Sequence, residues 1–142
     1  MEANDAFRQF GDAVIGNWTT QSEHRLLPGT VIDGRCSFEW LQPGTFMIWR
    51  ETVTHPEFPG SSLGVIGGTD EFRMHYFDSR GVVRLFEMRV ANDSWTFTRV
   101  EQDDFDQRLT WTLAADGTMR GLAQMREDGE WVDDLWGAYR RA

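Results

Sequence analysis

Few residues in this chain offer obvious chemistry, and their spacing is the first question. There are three histidines, His24, His55 and His75, a single cysteine, Cys36, and fourteen arginines with no lysine. Three scattered histidines lack the close spacing of a dedicated zinc or iron site. Without lysine, no Schiff base with a carbonyl substrate or an aldehyde cofactor can form. Cys36 lies in "GRCSFEW" with no histidine beside it, which reads as a small core residue rather than a nucleophile. No nucleophile elbow, phosphate loop or metal motif is present. The chemistry must therefore come from arginines, acids and tyrosines that the fold brings together, so the fold decides which of them count.

The 142 residues suggest one domain spanning 1–142. Seven Trp and ten Phe supply bulky core material. A net charge of −9 disfavours nucleic acid. One cysteine excludes an intrachain disulfide and fits a reducing compartment. No basic-then-apolar leader and no long apolar run are seen, so the expected setting is cytoplasmic, with no membrane partner.

The opening "NDAFRQFGDAVIG" reads as a helix over 3–15, capped by Asn4 or Asp5 and stopped by Gly16. Phe7, Phe10 and Val14 share one face, as in a plug over the end of a core. After Gly16 come ten short strand-like runs, separated by turn signals at about ten-residue intervals. They leave no room for crossover helices. The expected fold is all-β: an antiparallel up-and-down barrel of about ten strands, which removes its own edges.

Hairpin register then assigns directions. "DSRG" reads as a three-residue loop with Gly81 in the left-handed region. It pairs Tyr76 with Arg84 and Met74 with Phe86 on one face. Arg73 with Glu87 and His75 with Leu85 fall on the other, so His75 faces solvent. The same loop type applied to "QPG" pairs Cys36 with Arg50, turning Arg50 inward, and Arg35 with Glu51 outside. Applied to "EDG", it pairs Arg126 with Glu130 and Ala123 with Asp133. Around "ADG", Trp111 faces Gly121. A two-residue "ND" turn sets Phe86 opposite Arg99 and Arg84 opposite Glu101. The expected cavity lining is thus Arg50, Tyr76, Arg84, Phe86, Arg99, Glu101, Trp111 and Asp133. An excess of inward arginine invites an anionic partner.

"IGNWTTQ", the meander and the ending "YRRA" together resemble the calycin superfamily of lipocalins and fatty-acid-binding proteins. Gly16-Asn17-Trp18 is similar to the Gly-x-Trp of their first strand. "LPGT", "HPEFPG" and "HYFDSRGV" also look like small uncharacterised lipocalin-like proteins of bacteria. The resemblance implies a ligand-holding barrel in which Trp18 packs against a late arginine, Arg140 or Arg141. In fatty-acid-binding members an Arg–Arg–Tyr group holds a carboxylate; Arg84, Arg99 and Tyr76 are similar in kind. Nitrobindin-like members bind haem through a late histidine, and this chain has none after His75.

The resulting expectation is a small, largely apolar, anionic ligand held in the barrel, with no cofactor; a homodimer is left open. The alternative is a cofactor-independent cyclase or isomerase, with Asp133, Glu101 or Tyr76 as general acid or base. A third is haem bound through His75 or His55.

Overall fold

The computed structural model describes residues 2–99 and 106–142. One helix, α1 (Ala3–Val14), precedes ten strands: β1 (Gly16–His24), β2 (Ile32–Gln42), β3 (Phe46–Val53), β4 (Ser61–Gly67), β5 (Arg73–Asp78), β6 (Val83–Val90), β7 (Ser94–Arg99), β8 (Gln107–Leu113), β9 (Met119–Glu127) and β10 (Glu130–Arg141). Each strand pairs antiparallel with its sequence neighbours. β10 returns to pair with β1, from Trp18 opposite Arg141 to His24 opposite Leu135, and closes the barrel. Closure gives every described strand a neighbour on both sides, which removes the edges of an open sheet. Among the described residues, no helix is long and apolar enough to cross a membrane.

α1 plugs one end. Phe7, Phe10 and Val14 are fully buried. The Phe7 ring packs at 4.8 Å from Phe72, 4.9 Å from Trp95 and 5.6 Å from Trp40. The expected Asn4 or Asp5 cap is not formed. The helix already begins at Ala3, Glu2 occupies the capping position, and no side chain caps it. The C-terminal end is fixed instead. Trp18 Nε1 donates to the Val14 carbonyl at 2.8 Å, and the Arg141 guanidinium donates to the carbonyls of Ile15, at 2.6 Å, and Ala13. These carbonyls lack intrahelical partners at a helix end, so the contacts satisfy groups that would otherwise need water. Arg141 also lies 4.1 Å over the Trp18 ring. Of the two candidates, Arg141 is the late-strand arginine on Trp18.

The register expectations divide by turn type. The "DSRG" hairpin forms as read, with Gly81 at φ 84° and Tyr76 opposite Arg84, and Trp111 lies opposite Gly121. His75 is exposed on the outer wall. The "QPG" hairpin differs. Its turn closes from the Thr45 N–H to the Gln42 carbonyl at 2.9 Å, and the ladder is irregular between Trp40 and Gln42. Pro43 and Gly44, with Gly44 at φ 76°, suit the central positions of a type II turn. The extra residue moves the pairing by one, to Cys36 opposite Glu51 and Phe38 opposite Trp49. A one-residue slip exchanges the two faces of a strand. Glu51 therefore points in and Arg50 points out, the reverse of the expectation, and Arg35 meets Thr52 rather than Glu51.

The "EDG" turn also differs. Asp128 and Gly129 both have positive φ, 50° and 81°, as in a two-residue type I′ turn. Glu130 then faces Glu127 instead of Arg126, and Asp133 faces Gln124 instead of Ala123. A bulge at Asp134 shifts the pairing by one more residue, so Leu135 lies opposite Ala123 and Gly137 opposite Gly121.

Candidate functional site

A hollow of about 180 Å³ lies inside the barrel at the end away from α1. Its lining comes from the α1-distal halves of the strands: Thr20 and Ser22 of β1, Ile32 of β2, Val53 of β3, Ser62 of β4, Tyr76 of β5 and Arg84 of β6. Phe58 and Pro59, from the loop joining β3 to β4, cover it. Val53, Phe58, Tyr76, Arg84 and Gln107 are partly exposed, whereas Trp49, Phe86 and Tyr139 are buried, so the first group marks the mouth and the second the floor. A smaller hollow of about 90 Å³ shares Ser22, Trp49, Glu51, Leu109, Leu135 and Tyr139 with it and reaches Trp111. A wider groove of about 590 Å³ runs over exposed Asn17, Thr19, Arg35, Arg50 and Thr52 on the outer wall. It lies on the polar surface of the sheet rather than inside the barrel.

Aromatic rings make the walls. Trp49 packs 5.4 Å from Trp111 edge-on and 6.2 Å from Tyr76, and Tyr76 lies 6.2 Å from Phe86. Glycines make room for them. A Cβ on Gly64 would sit 3.0 Å from the Trp49 ring, and one on Gly121 would sit 2.8 Å from Tyr139 Cε1.

Among the described residues, Glu51 is the acid shared by the linings of both hollows. It has no hydrogen-bond or ion-pair partner among the described residues. Burial raises its pKa to about 7, because removing a carboxylate from water disfavours the charged form. Cys36 lies opposite on β2. Its thiol is pushed up by burial and then by the Glu51 charge. Tyr139, on β10, is raised by burial and then by Glu51 and Cys36. Its hydroxyl oxygen accepts a bond from Trp111 Nε1 at 3.2 Å. The Trp49 indole N–H is buried with no partner among the described residues.

The mouth is polar. Arg84 Nη1 donates to Gln107 Oε1 at 2.8 Å. Burial and then the charge of Arg99 lower the Arg84 pKa, which places two arginines near one another. The Tyr76 hydroxyl donates to Asp78 Oδ2 at 2.8 Å and lies 3.3 Å from Ser62 Oγ. Burial would raise the Asp78 carboxyl, but bonds from Arg80 and Tyr76 hold it at about 2.

The structure thus brings Tyr76, Arg84, Phe86 and Trp111 to the interior, with Arg99 opposite Gln107 at the β7–β8 ladder end. Arg50 is a correction: it is exposed and donates to Glu39 at 2.8 Å. Asp133 is another: it is exposed and accepts from Gln124 Nε2 at 2.9 Å. Glu101 lies outside the described residues. Glu51, Trp49 and Tyr139 are interior residues that the sequence reading does not reach. The Pro-Gly pair at 43–44 is the signal that turns Glu51 inward.

His75 is on the outer wall, and His55 sits in the β3–β4 loop with Nδ1 accepting from the Glu57 N–H at 3.2 Å. Neither ring lines the hollow. No group of three metal-ligating side chains occurs among the described residues.

No protein-family model matches the chain, and no curated protein matches it. A solved structure of a redesigned β-barrel superposes with a TM-score of 0.54 at 14% identity, over 94% of this chain and 96% of that one. At that identity the likeness speaks to the barrel fold alone.

Proposed function

We propose that the barrel is a binding module for a compact, largely apolar molecule with an anionic group. The observation that carries this reading is an aromatic-walled hollow, away from the plugged end, with Arg84 in its wall. Aromatic surface supplies affinity and a few polar groups fix orientation. Arg84 suits a carboxylate, because its guanidinium offers several donors in a plane. The volume of about 180 Å³ equals roughly six waters. It falls below the roughly 300–1,000 Å³ of drug-sized sites, which favours a single ring or short branched chain over a long acyl chain or haem. Membership of the calycin superfamily is part of the same proposal, and Arg141 stacked on Trp18 is the feature in its favour.

Trp49 and Trp111 make intrinsic fluorescence a direct reporter. Benzoate is expected to quench it saturably, while benzyl alcohol binds more weakly. Arg84→Gln is expected to weaken benzoate by about tenfold, the size of one charged hydrogen bond. Benzoate that does not bind, or binds Arg84→Gln equally well, overturns the reading.

A second reading comes from Glu51. A carboxyl that titrates near 7 inside an apolar cavity has the acidity of a general acid–base group. An isomerase of small carbonyl compounds would use it to move a proton between two carbons, with Tyr139 as a hydrogen-bond donor to oxygen. Glu51-dependent exchange of carbon-bound protons in heavy water would identify such a substrate.

A further inference from the structure

We infer that Glu51 anchors the inner end of the ligand by sharing a proton with a ring nitrogen, so that the ligand is a small nitrogen heteroaromatic acid. This deepens the binding reading above and rests on it.

Two groups that line the hollow stand without partners among the described residues. Glu51 points into both hollows and has no partner among the described residues. The indole N–H of Trp49, a residue 5% exposed that lines the same hollow, also has none among them. The Trp49 donor is buried, and a buried donor in a folded protein is ordinarily bonded. The half-buried Glu51 carboxyl opens onto the same hollow, so the two together point to a partner that arrives with the ligand.

The surroundings select its chemistry. The walls at this depth are Trp49, Trp111 and Tyr139, which accept a flat ring. The titratable groups facing Glu51 are Cys36 from β2 and Tyr139 from β10, and both hold their protons more tightly than usual. Neither offers Glu51 a charge to pair with. Towards the mouth stand Tyr76 and Arg84, with Arg99 near Arg84. An aliphatic amine arrives as ammonium and pairs only with a Glu51 that has already given its proton to water. A neutral ring nitrogen takes the proton directly from Glu51 Oε, and the net charge of the cavity is unchanged. A carbonyl oxygen would be served only while Glu51 keeps its proton. A ring nitrogen is served on either side of the titration, as acceptor from the acid or as N–H donor to the carboxylate. The acid group of the same ligand then lies at Arg84.

Benzoate and the three pyridine carboxylates test this. All four share one size and one carboxylate, and they differ only in whether and where a ring carbon is replaced by nitrogen. The three isomers place the nitrogen at each distance from the carboxylate that the ring allows. At pH 6.5, at least one isomer is expected to bind about tenfold more tightly than benzoate, the scale of one charged hydrogen bond. The ¹⁵N resonance of that isomer is expected to move towards the protonated position when bound. Glu51→Leu should erase the preference. Glu51→Gln keeps the shape and can donate, so it should retain part of the preference and lose the ¹⁵N protonation shift. If benzoate binds and no isomer is preferred, or if the preference survives in Glu51→Leu, this inference is overturned while the binding reading stands. If benzoate itself does not bind, the binding reading falls and takes this one with it.

Discussion

Glu51 stands directly opposite Cys36 across the β2–β3 ladder, the acid lining the hollows and the thiol buried in the core beside it. A half-buried acid without a partner makes folding depend on pH. Glu51 ordinarily titrates at 4.5 and in the folded chain at about 7. Between those values the unfolded chain has lost the proton and the folded chain keeps it. The folded state binds more protons there, so stability falls as pH rises from about 4.5 to 7 and then levels. At 1.36 kcal/mol per unit the loss has an upper limit of about 3 kcal/mol. Glu51→Gln should remove it: urea unfolding should show the variant more stable than wild type at pH 8, with the gap closing at pH 4.5. A gap that does not change with pH would count against an unpaired acid drawn out of water in the hollow.

Asp78 gives the opposite sign in the same experiment. Burial acts to raise it, but the Arg80 and Tyr76 bonds dominate and hold it at about 2, below its ordinary 3.8. A depressed acid contributes stability that is present above 3.8 and is lost as pH falls through 2. Asp78→Asn should flatten the acid limb of the unfolding curve between those values. An unchanged acid limb would remove Asp78 as its source.

The accessibility of Cys36 is a third expectation. Its side chain is buried, and burial together with the Glu51 charge pushes its thiol above the ordinary range. The thiolate is the reactive form. A thiol-disulfide reagent at pH 8 should therefore label the protein only at the rate of unfolding, and labelling should become fast in denaturant. Fast stoichiometric labelling of native protein would show that β2 and β3 open locally at this position.

The joint between α1 and the barrel rests on Arg141. Its guanidinium covers the Trp18 ring and bonds the carbonyls of Ala13 and Ile15. Arg141→Ala removes the stacking and leaves helix-end carbonyls to water. The expected cost is about 1–3 kcal/mol, the sum of a cation–π contact and charged hydrogen bonds at an exposed site. Arg141→Lys keeps the charge but not the planar fork, and should recover only part of the loss. Equal stability of Ala and wild type in urea would show that the plug is held without Arg141, by Phe7, Phe10, Val14 and the Trp18 bond.

The barrel, its ten strands and the α1 plug are legible in the sequence because the apolar periodicity changes from helical to alternating after Gly16, and turn residues punctuate the rest of the chain. The site is legible only where the turn chemistry is unambiguous. Gly81 closes a three-residue loop, which places Tyr76, Arg84 and Phe86 inside and His75 outside. Applied to Pro43-Gly44 and Asp128-Gly129, the same loop type fails, because the first pair makes a type II turn and the second a type I′ turn. Each difference moves a whole strand. On β3 the sequence offers little to reveal it, because Phe46 and Ile48 on one face are as apolar as Met47 and Trp49 on the other. The three-residue pairing hides Glu51 and puts Arg50 in its place.

Gly121 offers a test of the floor that removes no polar group. It lies opposite Trp111 on β8 and Gly137 on β10. An added Cβ would sit 2.8 Å from Tyr139 Cε1 and 3.2 Å from its hydroxyl, so the ring must shift. The Trp111–Tyr139 bond at 3.2 Å has little slack for such a shift. Overpacking of this kind costs about 1–3 kcal/mol. Gly121→Ala should therefore lower stability by that amount and change the fluorescence of Trp111. Because Tyr139 lines both hollows, benzoate affinity should fall with it, whereas Gly117→Ala, at a turn where space is open but φ of 86° makes a side chain costly to stability, should leave benzoate affinity unchanged. If Gly121→Ala keeps full affinity, the ligand does not reach the Tyr139 floor, and the site must be confined to the mouth around Arg84 and Tyr76.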